Sequence, residues 1–436
     1  MTVFSGPVRA MRTARQQRGI GTLTVSLVLL FCMTLVAFST NNSLLFEQKT
    51  SANQLRSTRA FEAAEAGIEW ASAMLNDDRS INPSCAAVTT SGAISFQKKY
   101  LPYTAAAGFA PSATRSGCSM RVASGVPVFS CSCPAAGTPP SLASSTDPTF
   151  TVQFQAVNTT TVPGGTADPG SVLITSYGCT AADSRCVPGS SASSDSFQQL
   201  SVILKFRSLL FIVPAAAVTI GNNFNLGSAA VSIANTDTGT NGTLVNSGGT
   251  CCGSHPFKSA ATLPGTPPEN SIITGDTSLS ALSNNPDGMF QSFFGTSVAQ
   301  YKANPKTTVL TAAMCGNNCQ SAFDTAYAKG ARFFYLEADL DVSSGTIGSA
   351  NDPVSIVTSA QIGIRGGTNL WGLIYGDTDN WNLNGQGNGF VHGAVVARKN
   401  FSVNGSPDLI YDPDVLKKLQ GQTGTILRVP GSWKDF

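Results

Sequence analysis

Residues 20–38 read IGTLTVSLVLLFCMTLVAF, and residues 51–75 read SANQLRSTRAFEAAEAGIEWASAML. The first stretch has 19 mostly apolar residues, which at about 1.5 Å per residue span the roughly 30 Å core of a bilayer. It lies within 28 uncharged residues, 19–46, and four arginines precede it: Arg9, Arg12, Arg15 and Arg18. The positive-inside rule therefore predicts a cytoplasmic N-terminus and export of the remainder.

The second stretch carries an apolar stripe at helical spacing. The stripe consists of Phe61, Ala64, Ile68, Ala71 and Leu75, with glutamates on a neighbouring face. No proline occurs between residues 19 and 82. Both stretches together therefore predict one helix of about 57 residues, roughly 85 Å long. Its first half would lie in lipid and its second half would pack on a globular head. A membrane anchor followed by an independent helix is the alternative.

These segments carry a family resemblance. The sequence Arg15-Gln-Gln-Arg-Gly19, the uncharged stretch, and Ala60-Phe-Glu-Ala-Ala-Glu-Ala-Gly67 together resemble the N-terminal domain of PilX-type minor pilins. Such proteins are type IV pilus assembly proteins of Gram-negative bacteria. The resemblance covers about residues 10–80. It implies cleavage by prepilin peptidase, N-methylation, and assembly with other minor pilins into a complex that primes or tips the pilus.

The resemblance also implies where the chain is processed and located. Residues 1–19 would be the leader, cut between Gly19 and Ile20, although Gly21 offers a second junction. A secretory signal peptide would instead be cut after its apolar region. The subunit would wait in the inner membrane, with its N-terminus in the cytoplasm and its body in the periplasm, and would then join the pilus at the cell surface.

Thr24 is a departure from the usual pilin pattern. Most pilins carry Glu at mature position five, and Thr24 occupies that position here. A buried carboxylate is costly unless it is paired. Its absence predicts a subunit that starts or tips the filament. Loss of the Glu in an ordinary membrane anchor is the alternative.

The cysteine count predicts disulfides. Cys32 lies in the apolar segment, where we expect a buried, inert thiol, and ten other cysteines follow. An even number in an exported domain favours disulfide bonds. Spacing favours two local pairs, Cys179 with Cys186 and Cys315 with Cys319. The sequence leaves the other connections open: Cys85, Cys118, Cys131, Cys133, Cys251 and Cys252. A zinc site usually needs two such pairs, so we expect no metal.

Residues 20–206 are expected to form an α+β pilin-like unit. The long helix would occupy residues 20–80 and an antiparallel β head residues 81–206. Alternating apolar residues predict three strands, at Phe150–Ala156, Ser171–Tyr177 and Leu200–Phe206. The region 82–148 gives little periodic signal.

Residues 207–436 predict an all-β domain. Trp371–Tyr375 (WGLIY) is echoed by His392–Val396 after 21 residues, and Asn382–Gly385 by Ser402–Gly405 after 20. Further short β runs occur at Val218–Gly221, Val231–Ile233, Val354–Val357 and Ile362–Arg365. A repeat of about 20 residues with Gly and Asn corners favours a parallel β-solenoid. An antiparallel sandwich is the alternative.

An insertion at about residues 250–330 is expected to be helical and to carry cysteines. Met289–Tyr301 and Ser321–Lys329 read as short helices, and Gly330 would cap the second. A last helix at Asp412–Leu419 would close the final rung of the solenoid and protect its edge from pairing.

The composition argues against several functions. The net charge is +2 and charged residues make up 12%, so a nucleic-acid partner is not expected. No catalytic motif occurs, the only histidines are His255 and His392, and we expect neither an enzyme nor a cofactor. The loop 377–385 resembles a calcium loop only superficially, because Trp381 occupies a ligand position.

Three acids mark the one enzymatic alternative. Glu337, Asp339 and Asp341 alternate and could be paired acids of a polysaccharide-cleaving β-helix enzyme, although a solvent-facing strand edge also explains them.

The sequence therefore predicts a minor pilin that acts by assembly. Its expected partners are other minor pilins and pilus assembly proteins, the inner membrane and prepilin peptidase. Any surface ligand of the β domain is not identified. One alternative is a type II secretion pseudopilin, which has the same kind of long N-terminal helix. Another is a membrane-tethered β-helix adhesin or polysaccharide-acting enzyme.

Overall fold

The computed structural model describes most of the chain. The described residues are 18–90, 92–104, 108–142, 146–162, 168, 170–252, 257–285, 287–316, 318–343, 345–365, 367–386, 389–422 and 424–435. Most of the predicted leader and His255 lie outside them. The chain divides into two compact units between Arg59 and Ala60, and each unit is described by itself.

Helix α1 runs from Arg18 to Leu75 without a break, over 58 residues. No proline interrupts it, and a helix of this length is compatible with the repeating apolar pattern. Residues 18–59 of this helix are the described part of the first unit, and residues 60–75 belong to the second unit. The two predicted helical stretches are therefore one element.

An antiparallel sheet of seven described strands follows α1. Three short elements precede it in the chain: α2 (Phe96–Tyr100), β1 (Tyr103–Thr104) and β2 (Gly108–Phe109). The strands of the sheet are β3 (Ser116–Ala123), β4 (Val126–Ser132), β5 (Thr149–Ala156), β6 (Ser171–Cys179), β7 (Phe197–Ser208), β25 (Gly424–Arg428) and β26 (Lys434–Asp435). Their order in the sheet is β25-β7-β6-β5-β3-β4, and β26 also pairs with β7. The three strands predicted from alternation are β5, β6 and β7.

The end of the chain returns to this sheet. Strand β25 pairs antiparallel with β7, with Ile426 opposite Phe206, and β26 pairs with the other end of β7. A boundary at residue 206 therefore does not enclose the whole sheet, and 207–436 is not one separate domain. Residues 424–435 carry too short an alternation to be recognised as strands, and long-range pairing with β7 decides their place.

The region with little periodic signal also contributes to the head. Within residues 82–148, helix α2 begins after Ser95, whose hydroxyl caps the backbone N–H of Lys98. Strands β3 and β4 form a hairpin that ends in the two-residue turn at Ser124 and Gly125. Exposed apolar residues on this hairpin interrupt the usual alternation, so the pattern does not identify its strands.

Two parallel sheets form much of the rest of the second unit. Their early strands are β8 (Val218–Ile220), β9 (Phe224–Asn225), β10 (Ser232–Ala234), β11 (Val245–Ser247), β12 (Ser259–Ala261) and β13 (Ile272–Ile273). The later ones are β14 (Thr307–Leu310), β15 (Phe333–Leu336), β16 (Leu340–Val342), β17 (Thr346–Ile347), β18 (Val354–Thr358), β19 (Ile362–Arg365), β20 (Asn369–Gly376), β21 (Asn380–Gln386), β22 (Phe390–Ala397), β23 (Asn400–Gly405) and β24 (Asp408–Tyr411). One sheet has the order β12-β10-β24-β22-β20-β18-β15-β14, and the other β16-β19-β21-β23-β9.

The sequence echoes are register partners in these sheets. Trp371 lies opposite His392 in the parallel pair β20–β22, and Asn382 lies opposite Ser402 in β21–β23. Equivalent side chains stack along the sheets: the rings of Trp381 and Phe401 lie 5.1 Å apart, and Asn404 donates to Asn384 at 3.1 Å. Such ladders stabilise parallel stacking because every strand supplies the same chemistry to the next.

Two distant segments lie side by side in the middle of the first parallel sheet. The N-terminal half of β22 pairs with β24, and its C-terminal half pairs with β8. Beyond β24 the sheet continues to β10 and β12. Helix α8 (Pro413–Gln422) therefore does not close the end of the sheet as expected, because strands from early in the chain extend past β24.

The predicted insertion at about residues 250–330 contains, in its described part, five short helices together with strands β12, β13 and β14. The helices are α3 (Thr277–Ser283), α4 (Gly288–Phe294), α5 (Val298–Ala303), α6 (Ala312–Cys315) and α7 (Gln320–Ala328); two single 3-10 turns, Thr238–Thr240 and Pro268–Ser271, precede them. The predicted helix at 289–301 is split, because Gly295 takes a left-handed conformation at φ 65° and Ser297 starts α5 with a capping box. Gly330, at φ 103°, follows α7 and donates to Tyr327 O.

Five disulfides join cysteines of the second unit. Cys179 pairs with Cys186 and Cys315 with Cys319, the two pairs that the sequence favoured. The remaining pairs are Cys85–Cys133, Cys118–Cys131 and the neighbours Cys251–Cys252. Cys131 and Cys133 are only two positions apart in the sequence but pair with Cys118 and Cys85, and spacing alone does not reveal this choice.

Candidate functional site: the N-terminal helix

The first unit presents an exposed apolar helix surface. Large apolar side chains from Leu23 to Phe46 are mostly 50–70% exposed, and residues 19–46 carry no charge. By length and composition this helix can cross a membrane. Cys32 lies on this surface and is exposed, whereas a buried thiol was expected.

The hydroxyl groups on this segment bond to the helix itself. Ser26 donates to Leu23 O at 2.9 Å, Thr34 to Phe31 O at 2.8 Å, and Thr40 to Val36 O at 2.5 Å. A polar group in hydrocarbon must find an internal partner. These bonds therefore make the polar side chains compatible with a lipid environment.

The expected cleavage junction lies at the start of the described helix. The backbone of Gly19 and Ile20 is helical in α1. The Thr24 hydroxyl donates to Gly21 O at 2.9 Å. Thr24 thus satisfies its hydroxyl within its own helix and, unlike a Glu, carries no charge.

The C-terminal part of α1 packs on the antiparallel sheet. Ala64, Ile68, Ala71 and Leu75 of the predicted stripe are fully buried, and Phe61 is partly buried. Their neighbours in the core include Phe150, Val152, Ile174 and Val202 of the central strands. Burial of apolar area of this kind is the main favourable contribution to docking a helix on a sheet.

Two glycines let the helix approach the sheet closely. A Cβ atom at Gly67 would lie 2.9 Å from Phe150 Cδ2 and would also collide with Ser176 Oγ. A Cβ atom at Gly178, on β6, would lie less than 3.0 Å from two backbone atoms of the helix, Ala60 O and Ala64 N. The small residues of the segment Ala60–Gly67 therefore allow the backbone of α1 to pack directly against the backbone of the sheet.

Aromatic rings and polar contacts hold the end of the helix. Trp70 lies 5.3 Å from Phe96 in an edge-to-face arrangement, a geometry that favours both rings. The Asn76 amide donates to Ile426 O at 3.0 Å and accepts from Ile426 N at 2.9 Å. Arg428 pairs with Glu69 at 2.5 Å. The C-terminal strand β25 thus binds the last turn of α1.

Ion pairs join the head to the parallel sheets within the second unit. The buried Lys306 contacts Asp78 at 2.8 Å, and Lys98 contacts Asp352 at 2.7 Å. Arg332 also pairs with Asp352, and these two cations hold the pKa of Asp352 below its usual range despite burial. Such partly buried pairs fix the geometry of the connection.

The loop that superficially resembles a calcium site is occupied by ion pairs. Arg398 contacts Asp379 at 2.8 Å and Asp377 at 3.6 Å. Burial raises the pKa of Asp377 to about 6, and Arg398 partly opposes that effect. No group of three or more His, Cys, Asp or Glu residues that could hold a metal occurs in the part of the chain that the structure describes.

The three alternating acids do not share a strand. Strand β15 ends at Leu336 and β16 begins at Leu340, so Glu337 and Asp339 lie at the corner between them. Glu337 pairs with Lys302 at 2.5 Å, and Asp341 pairs with Arg365 at 2.6 Å. Asp339 accepts a hydrogen bond from Gln361 N at 2.9 Å. The expectation of one acidic strand is wrong, because the sheet turns between these residues.

His392 has a structural environment. Its ring stacks on Trp371 with 3.9 Å between centroids, and burial lowers its pKa. A stacked, half-buried ring of this kind contributes to the side-chain ladder of β20 and β22.

Comparison with known families gives a match that lies within helix α1. Residues 18–69 match the model of the PilX N-terminal family. The N-terminal segment of this chain is therefore similar to the N-terminal segments of that family. The PilX-type segment covers the exposed apolar part of α1 and extends through Ala60–Gly67 into the residues that pack on the sheet.

The remaining comparisons add little. No curated protein sequence matches the chain. Among solved structures, the competence-associated pilin ComZ from Thermus thermophilus is similar over 87% of this chain and 97% of its own, with 11% identity and a TM-score of 0.24.

Several residues of the PilX-type helix site were not predicted from the sequence. Gly178 and Asn76 gave no signal, because their roles depend on contacts with residues more than a hundred positions away or across the helix–sheet junction. The sequence singled out Gly67 as part of the AAEAG segment, but it did not show that a side chain at this position would collide with the sheet.

Proposed function

We propose that this chain is a minor pilin of the type IV pilus, stored in the inner membrane before it joins a priming or tip complex. The observation that carries the proposal is the PilX-type segment at residues 18–69, which coincides with one uninterrupted helix. The first part of that helix is apolar and uncharged, and its last part packs on a sheet. A subunit that moves from a bilayer into a filament needs both properties in one element.

The processing and topology that we propose follow from the same segment. Prepilin peptidase removes residues 1–19 and exposes Ile20, and the four arginines before Gly19 hold the N-terminus in the cytoplasm. The neutral Thr24 supports a place at the start or tip of the filament, where no neighbouring subunit requires a carboxylate.

We further propose that residues 218–411 form a parallel β-solenoid on the cell surface. Parallel pairing in both sheets, the register of Trp371 with His392, and the Asn and aromatic ladders support this assignment. Glu337 and Asp341, two of the three acids of the enzymatic alternative, pair with Lys302 and Arg365, which favours a role in assembly over one in catalysis.

N-terminal mass spectrometry of protein from sheared pili tests the proposal. We expect a mature N-terminus at Ile20 and a low copy number. Gly19→Ala should block processing more strongly than the matched change Gly21→Ala. A mature chain that begins at Met1 or beyond Phe38 would contradict the pilin assignment.

Deletion of the gene separates the two filament systems that share this helix. Loss of surface pili with normal protein secretion is expected for a minor pilin. Loss of secretion with normal piliation would indicate a type II secretion pseudopilin. Regular immunogold labelling along the pilus shaft, with antibody to residues 207–436, would refute the tip position.

A further inference from the structure

One edge of the antiparallel sheet is open within the described part of the chain. Strand β4 is the last strand on that side, and its residues 126–130 are exposed, with Val128 at 45% and Phe129 at 47%. At the other side of the sheet, the Asn76 side chain bonds both the N–H and the C=O of Ile426 and thereby covers β25. Proteins normally cover or charge such edges, because unpaired backbone groups recruit another strand. Residues 126–130 carry no charge and are therefore open to pairing.

The hairpin register shows which backbone groups of β4 point outward. The N–H of Met120 donates to Pro148 O and not to Phe129, its register partner on β4. Bonded and non-bonded residue pairs alternate in an antiparallel ladder, and the non-bonded pairs lie closer together. Cys118 and Cys131 form the next non-bonded pair, with their Cα atoms 4.0 Å apart. The backbone N–H and C=O groups of Phe129 and Cys131 therefore point away from β3.

The outward groups of β4 are limited by its neighbours. Phe129 and Cys131 each present an N–H and a C=O that bond to none of the described residues. Pro127 presents only its C=O, since proline has no N–H. The next outward position is closed, because the N–H of Cys133 donates to Pro83 O. The open edge thus extends from Pro127 to Cys131.

Strand β14 is a second open edge, at the end of the first parallel sheet. The C=O of Leu310 accepts from Glu337 N, so Leu310 faces β15 and Val309 faces outward. Both backbone groups of Val309 lack a partner among the residues that the structure describes. Thr308 and Leu310 line a groove of about 910 Å3, whose other walls include α7 and the last turn of α1. The groove keeps this side of β14 open to solvent.

The residues on either side of Val309 are each half occupied. The N–H of Thr307 donates to Asn304 O, which leaves its C=O free. The C=O of Thr311 accepts from the backbone of helix α6, which leaves its N–H free. Strand β14 therefore offers a full donor–acceptor pair at its centre, an acceptor before it and a donor after it.

We propose that β4 of one copy of this chain pairs antiparallel with β14 of a second copy, with Phe129 opposite Val309. The two residues then exchange both of their N–H···O bonds, as a bonded antiparallel pair does. Both strands are uncharged, so the pairing brings no like charges together. The proposal concerns the second unit alone and does not depend on the pilus assignment.

The flanking groups fit the same register. The N–H of Cys131 faces the free C=O of Thr307, and the C=O of Pro127 faces the free N–H of Thr311. The N–H that Pro127 lacks therefore falls opposite a C=O that is already bonded. Two β4 strands paired about Phe129 would instead aim the proline ring at the C=O of Cys131, which a ladder does not tolerate. This match of donors and acceptors favours β14 of a second copy as the partner strand.

The side chains agree with this register. Val128 would lie beside Leu310, and Ser130 beside Thr308, so apolar meets apolar and hydroxyl meets hydroxyl. The tip of the hairpin would lie toward α6, where Met314 is 62% exposed. Because two different edges pair, the contact is head-to-tail, and each copy keeps one edge to which a further copy can bind.

A disulfide between two different variants tests the pairing. One full-length chain carries Cys32→Ser with Ser130→Cys, and the other carries Cys32→Ser with Thr308→Cys. Ser130 and Thr308 would form a non-bonded pair, the position at which Cys118 and Cys131 are already joined. We expect a crosslinked dimer when the two chains are mixed in detergent and oxidised, and not with either chain alone. Val126→Cys is the matched control, since it would lie about 13 Å from Thr308 along the strand.

Self-association of the full chain in detergent, measured by sedimentation over a range of concentrations, gives a second test. Phe129→Pro removes an N–H that would bond β14 but does not bond β3, so the hairpin keeps its own bonds. We expect the dissociation constant to rise at least about tenfold, the effect of one to two hydrogen bonds. Val128→Lys keeps the whole backbone and should act in the same direction, whereas Val122→Lys, at a more exposed position on β3, should not.

Four results would overturn the proposal. The mixed chains could fail to crosslink, or the Val126→Cys control could crosslink to Thr308→Cys equally well. A dimer from Ser130→Cys alone would indicate two β4 strands paired with each other. Self-association that Phe129→Pro and Val128→Lys leave unchanged would place the contact elsewhere, for example on the apolar helix. A disulfide in cells from Ser130→Cys to a different polypeptide would identify another partner for this edge.

Discussion

Adding a single methyl group at Gly178 tests the close contact between helix α1 and the sheet. In Gly178→Ala the new Cβ would lie within 3.0 Å of Ala60 O and Ala64 N. Both are backbone atoms, so no side-chain rotation can relieve the contact and the helix must shift. Overpacking of this kind costs about 1–3 kcal/mol.

The expected change in melting temperature follows from the size of the second unit. It has 377 residues, 60–436, and at about 2.1 cal/mol/K per residue its unfolding entropy is roughly 0.8 kcal/mol/K. The melting temperature should therefore fall by about 1–4 °C. Hydrogen exchange gives a local measurement, since amides of residues 60–75 should exchange faster when the helix is displaced.

Gly170→Ala is the matched control for this experiment. A Cβ at Gly170, just before the same strand β6, would meet only Asp168 Oδ1 at 3.5 Å, an ordinary contact. Its stability should stay within about 0.5 kcal/mol of the wild type. If Gly178→Ala and Gly170→Ala show the same melting temperature and the same exchange over 60–75, the proposed close packing is incorrect.

Three further predictions concern charge, thiols and the helix end. Asp377→Asn should be more stable than the wild type at pH 7.5 but not at pH 4.5, because the folded-state pKa of about 6 lies above the ordinary 3.8, so the wild type loses stability as pH rises through that window. The gain in free energy of unfolding is at most about 3 kcal/mol, and the loss of contacts with Arg398 reduces it. Urea unfolding at both pH values measures this difference. A variant that is less stable than the wild type at pH 7.5 would contradict the argument. Thiol labelling of denatured, unreduced protein should find one free thiol, Cys32, and eight or more would contradict the disulfides. Asn76→Ala should destabilise the chain by about 1–3 kcal/mol because it leaves the backbone of Ile426 unpaired, whereas the exposed Asn404→Ala should change thermal stability less.

The spacing of apolar residues along the sequence was sufficient to predict helix α1 and many of the strands. The stripe Phe61 to Leu75 predicted the buried face of α1, since helical spacing alone decides which residues share a face. The echo of Trp371 by His392 predicted parallel register partners, because a repeat places equivalent residues at the same point of successive strands.

The amino-acid pattern was therefore enough to predict the apolar helix, its PilX-like motif, the alternating strands and the repeat. Long-range contacts were needed to show that residues 424–435 return to strand β7, that β8 and β24 share the middle of one sheet, and that Glu337 and Asp341 lie on different elements. The two groups differ in how far apart along the sequence the interacting residues lie. Helical and strand periodicity are properties of neighbouring residues, whereas pairing across 200 positions depends on which edges and apolar faces remain uncovered after the local elements have formed.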